Sequence, residues 1–282
     1  MERNALEHAA PHGRGLADDL DALARQAQAR RRMLGWLASA AGVSLVGGIG
    51  SAVAQETVDP LAGRRCVADP EETAGPYPAD GTNHAAGSTS DILTSSGIVR
   101  SDIRPSFLGS STIAQGVPLT LTLTVANTNA SCETLAGLAI YLWHCDRDGA
   151  YSLYTAPAES YLRGVQVTDD LGQVTFTTIF PACYPGRWPH IHFEVYQSLS
   201  TATNGRNALL TSQLALPKAI CETVYANASG YSASVGHLQA VSLRSDMVFG
   251  DNTLVQLKAM TPRMAGSVAA GYNAAATIGL AA

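Results

Sequence analysis

Two histidines one residue apart, His190 and His192, follow the run Cys183-Tyr184-Pro185-Gly186-Arg187-Trp188-Pro189. From His190 the chain alternates, with His190, His192 and Glu194 on one side and Ile191, Phe193 and Val195 on the other. That period of two predicts a half-buried strand over 190–196. Residues two apart project from the same face of a strand, about 6.6–6.8 Å apart, so both imidazoles can converge on one metal ion. Tyr184 can supply an anionic oxygen beside them, and Arg187 a fixed positive charge. Taken alone, the same residues also describe an ordinary strand with two outward polar side chains.

The elements that must hold these groups are short. Val117–Ala126 alternates Leu/Val with Thr and predicts a strand, and Leu135–Trp143 predicts a second, apolar enough to be central. Arg163–Thr168 and Gln173–Phe180 are expected to pair as a hairpin across Asp169-Asp170-Leu171-Gly172. After His190–Tyr196 come a polar loop to Asn207, a strand over Ala208–Leu216 and a short helix over Ala219–Asn227. Met247–Phe249, Val255–Met260 and Val268–Ile278 are read as the last strands. Many short strands with frequent turns predict an all-β, antiparallel β-sandwich. The segment 55–115 reads as loops, since Glu71–Gly81 holds two prolines and two glycines and cannot be a regular element. It is expected to wrap a surface or the mouth of a site, with the core in 116–282.

The chain has 282 residues, is 46% hydrophobic and carries a net charge of −5, which suits one globular domain and offers nothing to nucleic acid or an anionic membrane. Residues 1–54 stand apart from the fold. Arg30-Arg31-Arg32-Met33-Leu34 precedes an apolar Ala/Gly-rich run to about Ile49, and Ala52-Val53-Ala54 is a small-x-small cleavage pattern. The twin arginines are similar to a twin-arginine export signal. Export to the periplasm or the exterior is therefore expected, with Gln55 as the mature start and no membrane anchor left after cleavage. The polar lead 1–29, with a helix expected around Leu16–Ala29, receives no role.

The ordered motifs Gly149-Ala150-Tyr151-Ser152, Tyr161-Leu162-Arg163-Gly164-Val165-Gln166-Val167-Thr168-Asp169-Asp170-Leu171-Gly172, Thr178-Ile179-Phe180-Pro181-Ala182-Cys183-Tyr184-Pro185-Gly186-Arg187 and Pro189-His190-Ile191-His192-Phe193 resemble the intradiol ring-cleavage dioxygenases, in their exported branch. The resemblance runs from about Glu72 to Leu216. It implies the β-sandwich of that family and a mononuclear non-haem Fe(III) held by Tyr151, Tyr184, His190, His192 and a hydroxide. It also implies that Arg187 lies over the substrate, that Gln213 stands on the substrate side, and that Pro76 and Tyr77 contribute to substrate binding. The substrates implied are a catechol and O2, and the product a ring-opened dicarboxylate.

The chemistry fits the donor set. Fe(III) is hard and favours anionic oxygen, and a phenol with an ordinary pKa of about 10 loses its proton on such a cation. Two phenolates and a hydroxide balance three positive charges, and two neutral imidazoles complete the shell. A catechol dianion can displace hydroxide and one tyrosinate, which in the family is the one matching Tyr184. Arg187 then stabilises negative charge developing on the ring.

Two rivals use the same residues. A cupin-like metal site also places His-x-His on a strand, but with five residues between a glycine and the first histidine and a glutamate three or four past the second. Here three residues separate Gly186 from His190, and Glu194 is two past His192. A non-catalytic exported β-sandwich that binds aromatics or sugars is the other alternative. Only five residues separate Tyr184 from His190, which implies an open pocket, and a helical dimerisation region is absent, which leaves homo-oligomerisation open. His144, His84 and His237 fit no ligand spacing. Of the five cysteines, bridges are expected between Cys132 and Cys221 and between Cys145 and Cys183, with Cys66 free.

Overall fold

The computed structural model describes residues 56–58 and 65–282, which lie within one compact unit, residues 49–282. The expected export signal and leading helix fall outside the described residues. Among the described residues, no helix is long and apolar enough to cross a membrane.

In order come β1 (Glu56–Val58), β2 (Arg65–Val67), β3 (Pro118–Asn127), β4 (Glu133–Thr134), β5 (Ala139–Trp143), β6 (Arg163–Val167), β7 (Gln173–Ile179), β8 (His190–Tyr196) and β9 (Leu210–Ala215). Helices α1 (Lys218–Asn227), α2 (Ser232–Gln239) and α3 (Leu254–Ala259) follow, then β10 (Arg263–Ser267) and β11 (Gly271–Leu280). Strands β1 and β2 pair alone; a five-stranded sheet runs β10-β11-β3-β4 with β7 also on β3; a four-stranded sheet runs β6-β5-β8-β9.

Sequence alternation explains the core. Leu119, Leu121, Leu123 and Val125 of β3 are buried while Thr120, Thr122 and Thr124 between them are half-exposed. Ile191, Phe193 and Val195 of β8 and Ile140 and Leu142 of β5 join the same apolar cluster, so the inner faces of the two larger sheets share one core. The other face of the four-stranded sheet is buried too. There Ala79, Ile92, Leu93 and Ile98, from the strand-poor stretch before β3, cover Tyr141, Trp143, Val165 and Tyr196. Strand β8 is consequently buried on both faces, not half-buried as its alternation predicts, because that covering stretch shields the side that carries the histidines.

Several expectations fail for identifiable reasons. β6 and β7 do not pair: β6 hydrogen-bonds β5 and β7 hydrogen-bonds β3, in different sheets. Asp169 closes the turn between them by accepting from the Leu171 and Gln173 amides, and the chain crosses there from one sheet to the other. The sheets are not wholly antiparallel, since β11 runs parallel to β3 over Tyr272–Leu280. A parallel neighbour needs a long crossover, and residues 128–270, with seven strands and the helices between, separate these two. Val255–Met260 is not a strand but belongs to α3, begun by a capping box in which Thr253 and Gln256 exchange hydrogen bonds. Met247–Phe249 is a turn, because Asp246 accepts from the Val248 and Phe249 amides.

The bridges differ as well. Cys66 pairs with Cys132, with Cα atoms 5.8 Å apart, and joins β2 to the turn after β3. Cys221 points into the main core instead. Cys145 and Cys183 are buried free thiols that donate to the carbonyls of Ala182 (3.7 Å) and Arg187 (3.5 Å).

Asp69, just past that bridge, accepts from the Gly279 amide at 2.6 Å and ties the covering stretch to β11. Burial pushes its pKa from 3.8 up to about 7, against the pull of the Gly279 hydrogen bond. Between those values the folded chain holds a proton on Asp69 that the unfolded chain releases, so the contribution of this group to stability falls as pH rises from about 4 to about 7 and then levels off. At about 1.4 kcal/mol per pKa step the loss is roughly 4 kcal/mol. Asp69→Asn is expected to remove this contribution, so that stability from urea unfolding, compared between variant and wild type, changes in the variant's favour by about that amount as pH rises across the range. A difference unchanged by pH would show that Asp69 does not make it.

Candidate active site

The site lies on the outer face of the four-stranded sheet. In β8, the period of two sends the His190 and His192 side chains to this face. Across the sheet His192 is opposite Trp143 of β5 on one side and Gln213 of β9 on the other. The register thus sets the candidates His192 and Gln213 side by side with Trp143 in the same row, since directly opposed residues stand about 4.5–5.5 Å apart.

Tyr151 arrives from the turn after β5. Asp146 organises that turn by accepting from the amides of Asp148 and Ala150 and from the Tyr161 hydroxyl. Gly149 has φ +87°, and a Cβ there would stand 3.3 Å from Cβ of Tyr184, so a glycine lets the two tyrosine turns approach. Tyr184 comes from the turn before β8. Of the two phenols Tyr151 is 1% exposed and Tyr184 is half-buried.

Four donor atoms meet. The Tyr151 hydroxyl lies 3.4 Å from the Tyr184 hydroxyl and 3.3 Å from His190 Nε2; the Tyr184 hydroxyl lies 3.2 Å from that nitrogen, and His192 Nε2 lies 3.1 Å from it. Donors about 2.1 Å from a common cation and 90–109° apart stand ~3.0–3.4 Å from each other, so the residues fit a single metal. Tautomers agree. The Trp188 carbonyl, 2.5 Å from His190 Nδ1, can only accept, which puts the proton on Nδ1 and a lone pair on Nε2. His192 Nδ1 is buried with no hydrogen-bond partner among the described residues, and its ring stacks on Trp143 at 4.8 Å.

Electrostatics points the same way. Burial lowers the His190 pKa to about 3, with nearby Arg187 adding to it, and burial and His190 hold His192 well below the ordinary value. Both imidazoles are therefore neutral, as metal ligands must be. Burial raises Tyr184 to about 12 against the influence of Arg187, and burial with the neighbouring Tyr184 holds Tyr151 well above 10. Without a cation both phenols keep their protons; a trivalent cation reverses that preference. Among the described residues no three His, Cys, Asp or Glu side chains gather as a metal site. The donor set here combines two histidines with two phenols.

Arg187 is not the solvated charge that an isolated arginine usually is. It is 1% exposed, its Nη2 donates to Gln213 Oε1 at 2.7 Å, and its Nη1 lies 3.5 Å from His190 Nε2. Gln213 in turn donates to the Thr73 carbonyl at 2.8 Å, which joins the sheet to the covering loop. In that loop Tyr77 packs 4.7 Å from the Tyr151 ring, and the Pro76 carbonyl accepts from Asn83. Gly75, at φ +73°, passes so close to His192 that a Cβ would stand 3.3 Å from its Cε1. His144 bonds Cys145 and Thr178, His237 bonds the Cys183 carbonyl, and His84 is exposed; none joins the four donors.

Sequence reading missed two groups. Arg163 of β6 is fully buried and donates to the carbonyls of Tyr77, Pro78 and Ser152, the Ser152 hydroxyl and the Tyr141 hydroxyl. It lies inside a quoted motif, yet nothing in the spacing says where its side chain goes. Asp246 is the other, and its contact with Arg187 spans 59 residues, a separation that no local pattern reveals.

Residues 110–209 match the family Dioxygenase_C, described as Dioxygenase. That segment holds Tyr151, Tyr184, Arg187, His190 and His192 but ends before Gln213 and Asp246. The fold is similar to that of an intradiol ring-cleavage dioxygenase from Tetranychus urticae, with a TM-score of 0.55, 24% identity, and coverage of 76% of this chain and 94% of that one. The dioxygenase domain of a dioxygenase–carbohydrate-binding protein fusion from Streptomyces sp. SirexAA-E matches over 76% of this chain and 97% of its own, at 22% identity and a TM-score of 0.45. No curated protein matches the chain.

Proposed function

We propose that the chain is an intradiol ring-cleavage dioxygenase, a reading supported by the Dioxygenase match of residues 110–209 and by the similar fold, and that it opens a catechol between its two oxygen-bearing carbons with O2 to give a dicarboxylate. Tyr151, Tyr184, His190 and His192 would hold a mononuclear non-haem Fe(III). The placement of His190 Nε2 within 3.1–3.3 Å of each of the other three donor atoms carries the reading.

Bound there, the ferric ion would supply the charge that ionises both phenols and the catechol, and the electronic coupling through which O2 reaches the ring. The protein's part follows from its own geometry. Tyr151, buried and held in a fixed turn, stays in place. Tyr184, at the open side, is the group that would swing away and, as a phenolate, take a catechol proton on its oxygen. Arg187 Nη1 faces the donor atoms and stabilises negative charge on the ring, in a dry setting where such a charge acts strongly. Gln213 holds that guanidinium from the sheet, and Pro76 and Tyr77 close the site from the loop side. The two facing sheets are read as this family's β-sandwich, residues 55–115 as its wrapping segment and 116–282 as its catalytic core. Residues 1–54 are read as a twin-arginine export signal.

Iron-loaded protein is expected to show a visible phenolate-to-iron absorption band and to take up O2 with at least one member of a broad catechol panel. An iron-replete sample that takes up no O2 across the panel overturns the catalytic reading. Tyr184→Phe is expected to retain part of the iron, with a shifted band and poor turnover, whereas Tyr151→Phe should lose more of the iron. The reverse order in metal analysis would exchange the two assignments.

A further inference from the structure

The guanidinium of Arg187 is held at two of its three nitrogens. Nε donates to Asp246 Oδ2 at 3.0 Å and Nη2 to Gln213 Oε1 at 2.7 Å, which leaves Nη1 turned toward His190 Nε2, 3.5 Å away, the atom within 3.1–3.3 Å of the other three donors. The Asp246 carboxylate is saturated. Oδ2 also accepts the Trp188 amide at 2.6 Å, and Oδ1 accepts the amides of Val248 and Phe249 at 2.8 and 3.0 Å. Both side chains of this ion pair are inaccessible, at 1% and 0% exposure. One carboxylate therefore fixes the arginine, the backbone of the next residue and its own turn together. That turn follows α2, whose Ser234 and His237 bond the amide and carbonyl of Cys183. The tyrosine turn is thus gripped at both ends by residues beyond the family segment, which ends at residue 209.

We propose that Asp246 is a positioning residue for ring cleavage: by occupying Nε of Arg187 it orients the guanidinium so that Nη1 meets the bound aromatic. The inference rests on the proposed reaction. Burial opposes both charges, but each partner holds the other ionised, with the Arg187 pKa above and the Asp246 pKa below its ordinary value. A neutral side chain at 246 would leave the guanidinium charged, without a counter-charge and anchored firmly only at Nη2 by Gln213. Loss of one well-placed positive or hydrogen-bonding group at a developing anion costs about 100-fold or more in kcat, so a misdirected Arg187 must show in turnover.

Four proteins decide it: wild type, Asp246→Asn, Arg187→Gln and the double variant. In the metal-free proteins, Asp246→Asn is expected to lower Tm in the wild-type background and to raise it in the Arg187→Gln background, where the carboxylate is a buried charge without its partner. In the iron-loaded proteins, kcat is expected to fall about 100-fold in Arg187→Gln, and about 10-fold in Asp246→Asn as the guanidinium turns away. The double variant should stay within about twofold of Arg187→Gln, because groups that act as a unit are not additive. Equal Tm losses in both backgrounds, or a double variant whose kcat falls to the product of the single effects, overturns the proposal. Asp246→Glu keeps the charge and the pair but moves the carboxylate by one carbon. It should retain iron and lose kcat about 10-fold, with KM little changed, from misplacement alone; an unchanged kcat also overturns the proposal. A wild type that cleaves no catechol sinks the reaction itself, a result separable from the Tm comparison, which needs no iron.

Discussion

His192→Ala is expected to leave the protein without retained iron and without measurable ring cleavage. The substitution removes one of four donors and opens a gap on a strand face that is otherwise fully buried. Loss of a residue that merely supports a ligand costs about 10–100-fold in metal affinity or activity, and loss of a ligand itself must exceed that. Metal analysis after dialysis and an oxygen electrode read the two effects separately. Retention of a full iron equivalent with wild-type oxygen uptake would show that the strand face is not the metal face. Trp143 makes the effect sharper, since its ring lies nearly parallel to His192, at an interplanar angle of 7°, and would lose its stacking partner.

Arg163→Met is expected to be the most destabilising single change near the site. All five N–H groups of this guanidinium are used, and no carboxylate is among its partners. Methionine would fill much of the space but take one donor each from the carbonyls of Tyr77, Pro78 and Ser152 and from two hydroxyls, of which the Pro78 carbonyl keeps another, the Tyr141 hydroxyl. Each unsatisfied group costs about 1–3 kcal/mol, partly relieved by relaxation, so a loss of about 4 kcal/mol is expected from urea unfolding. Because Tyr77, Pro78 and Ser152 lose a common anchor, the loop over the site and the Tyr151 turn should also loosen together. A loss under about 1 kcal/mol would show that neighbouring groups replace the donors.

Much of the site was legible because its chemistry is written locally. His190 and His192 share a face by the two-residue period alone, and Tyr184 and Arg187 lie within six residues of His190. Tyr151 entered through the resemblance, and the structure gathers it with the others. Gln213 required the resemblance too, yet the register that places it beside His192 pairs two residues that lie 21 apart in the chain. Asp246 and Arg163 were invisible for another reason. Their work is done by side chains whose partners (backbone carbonyls, amides and charges) are brought close only by the finished fold.

The fold divides in the same manner. The Leu/Thr alternation of β3 marks its inner face unaided, and its observed bounds lie within one residue of those predicted. Pairing partners are not encoded so locally. Gln173–Ile179 has the alternation of a strand in either sheet, and only the crossover at Asp169 decides which one it joins. Val255–Met260 shows how periodicity misleads over six residues, where the Thr253-x-x-Gln256 capping signal outranks apolar content. Pairing of Cys66 with Cys132 was equally unreadable, because β2 and the turn after β3 are brought together by packing against the far end of the sheet.

The Cys66–Cys132 bridge closes a covalent ring that contains the whole covering stretch and all of β3. Backbone cleavage at any point from residue 67 to 131 would therefore open the ring without dividing the molecule. The piece on the N-terminal side of such a cut would remain fastened to the turn after β3, and Arg163 and Gln213 would still grip the loop near Tyr77 and Thr73. Exposed stretches such as Thr82–His84 could be clipped by a protease while the shelter over His192 stayed attached. Under reducing conditions the same clip would free the segment that ends at the cut. Durability toward proteolysis and thiol–disulfide state are thereby linked in one protein, through a bond well away from the donor atoms.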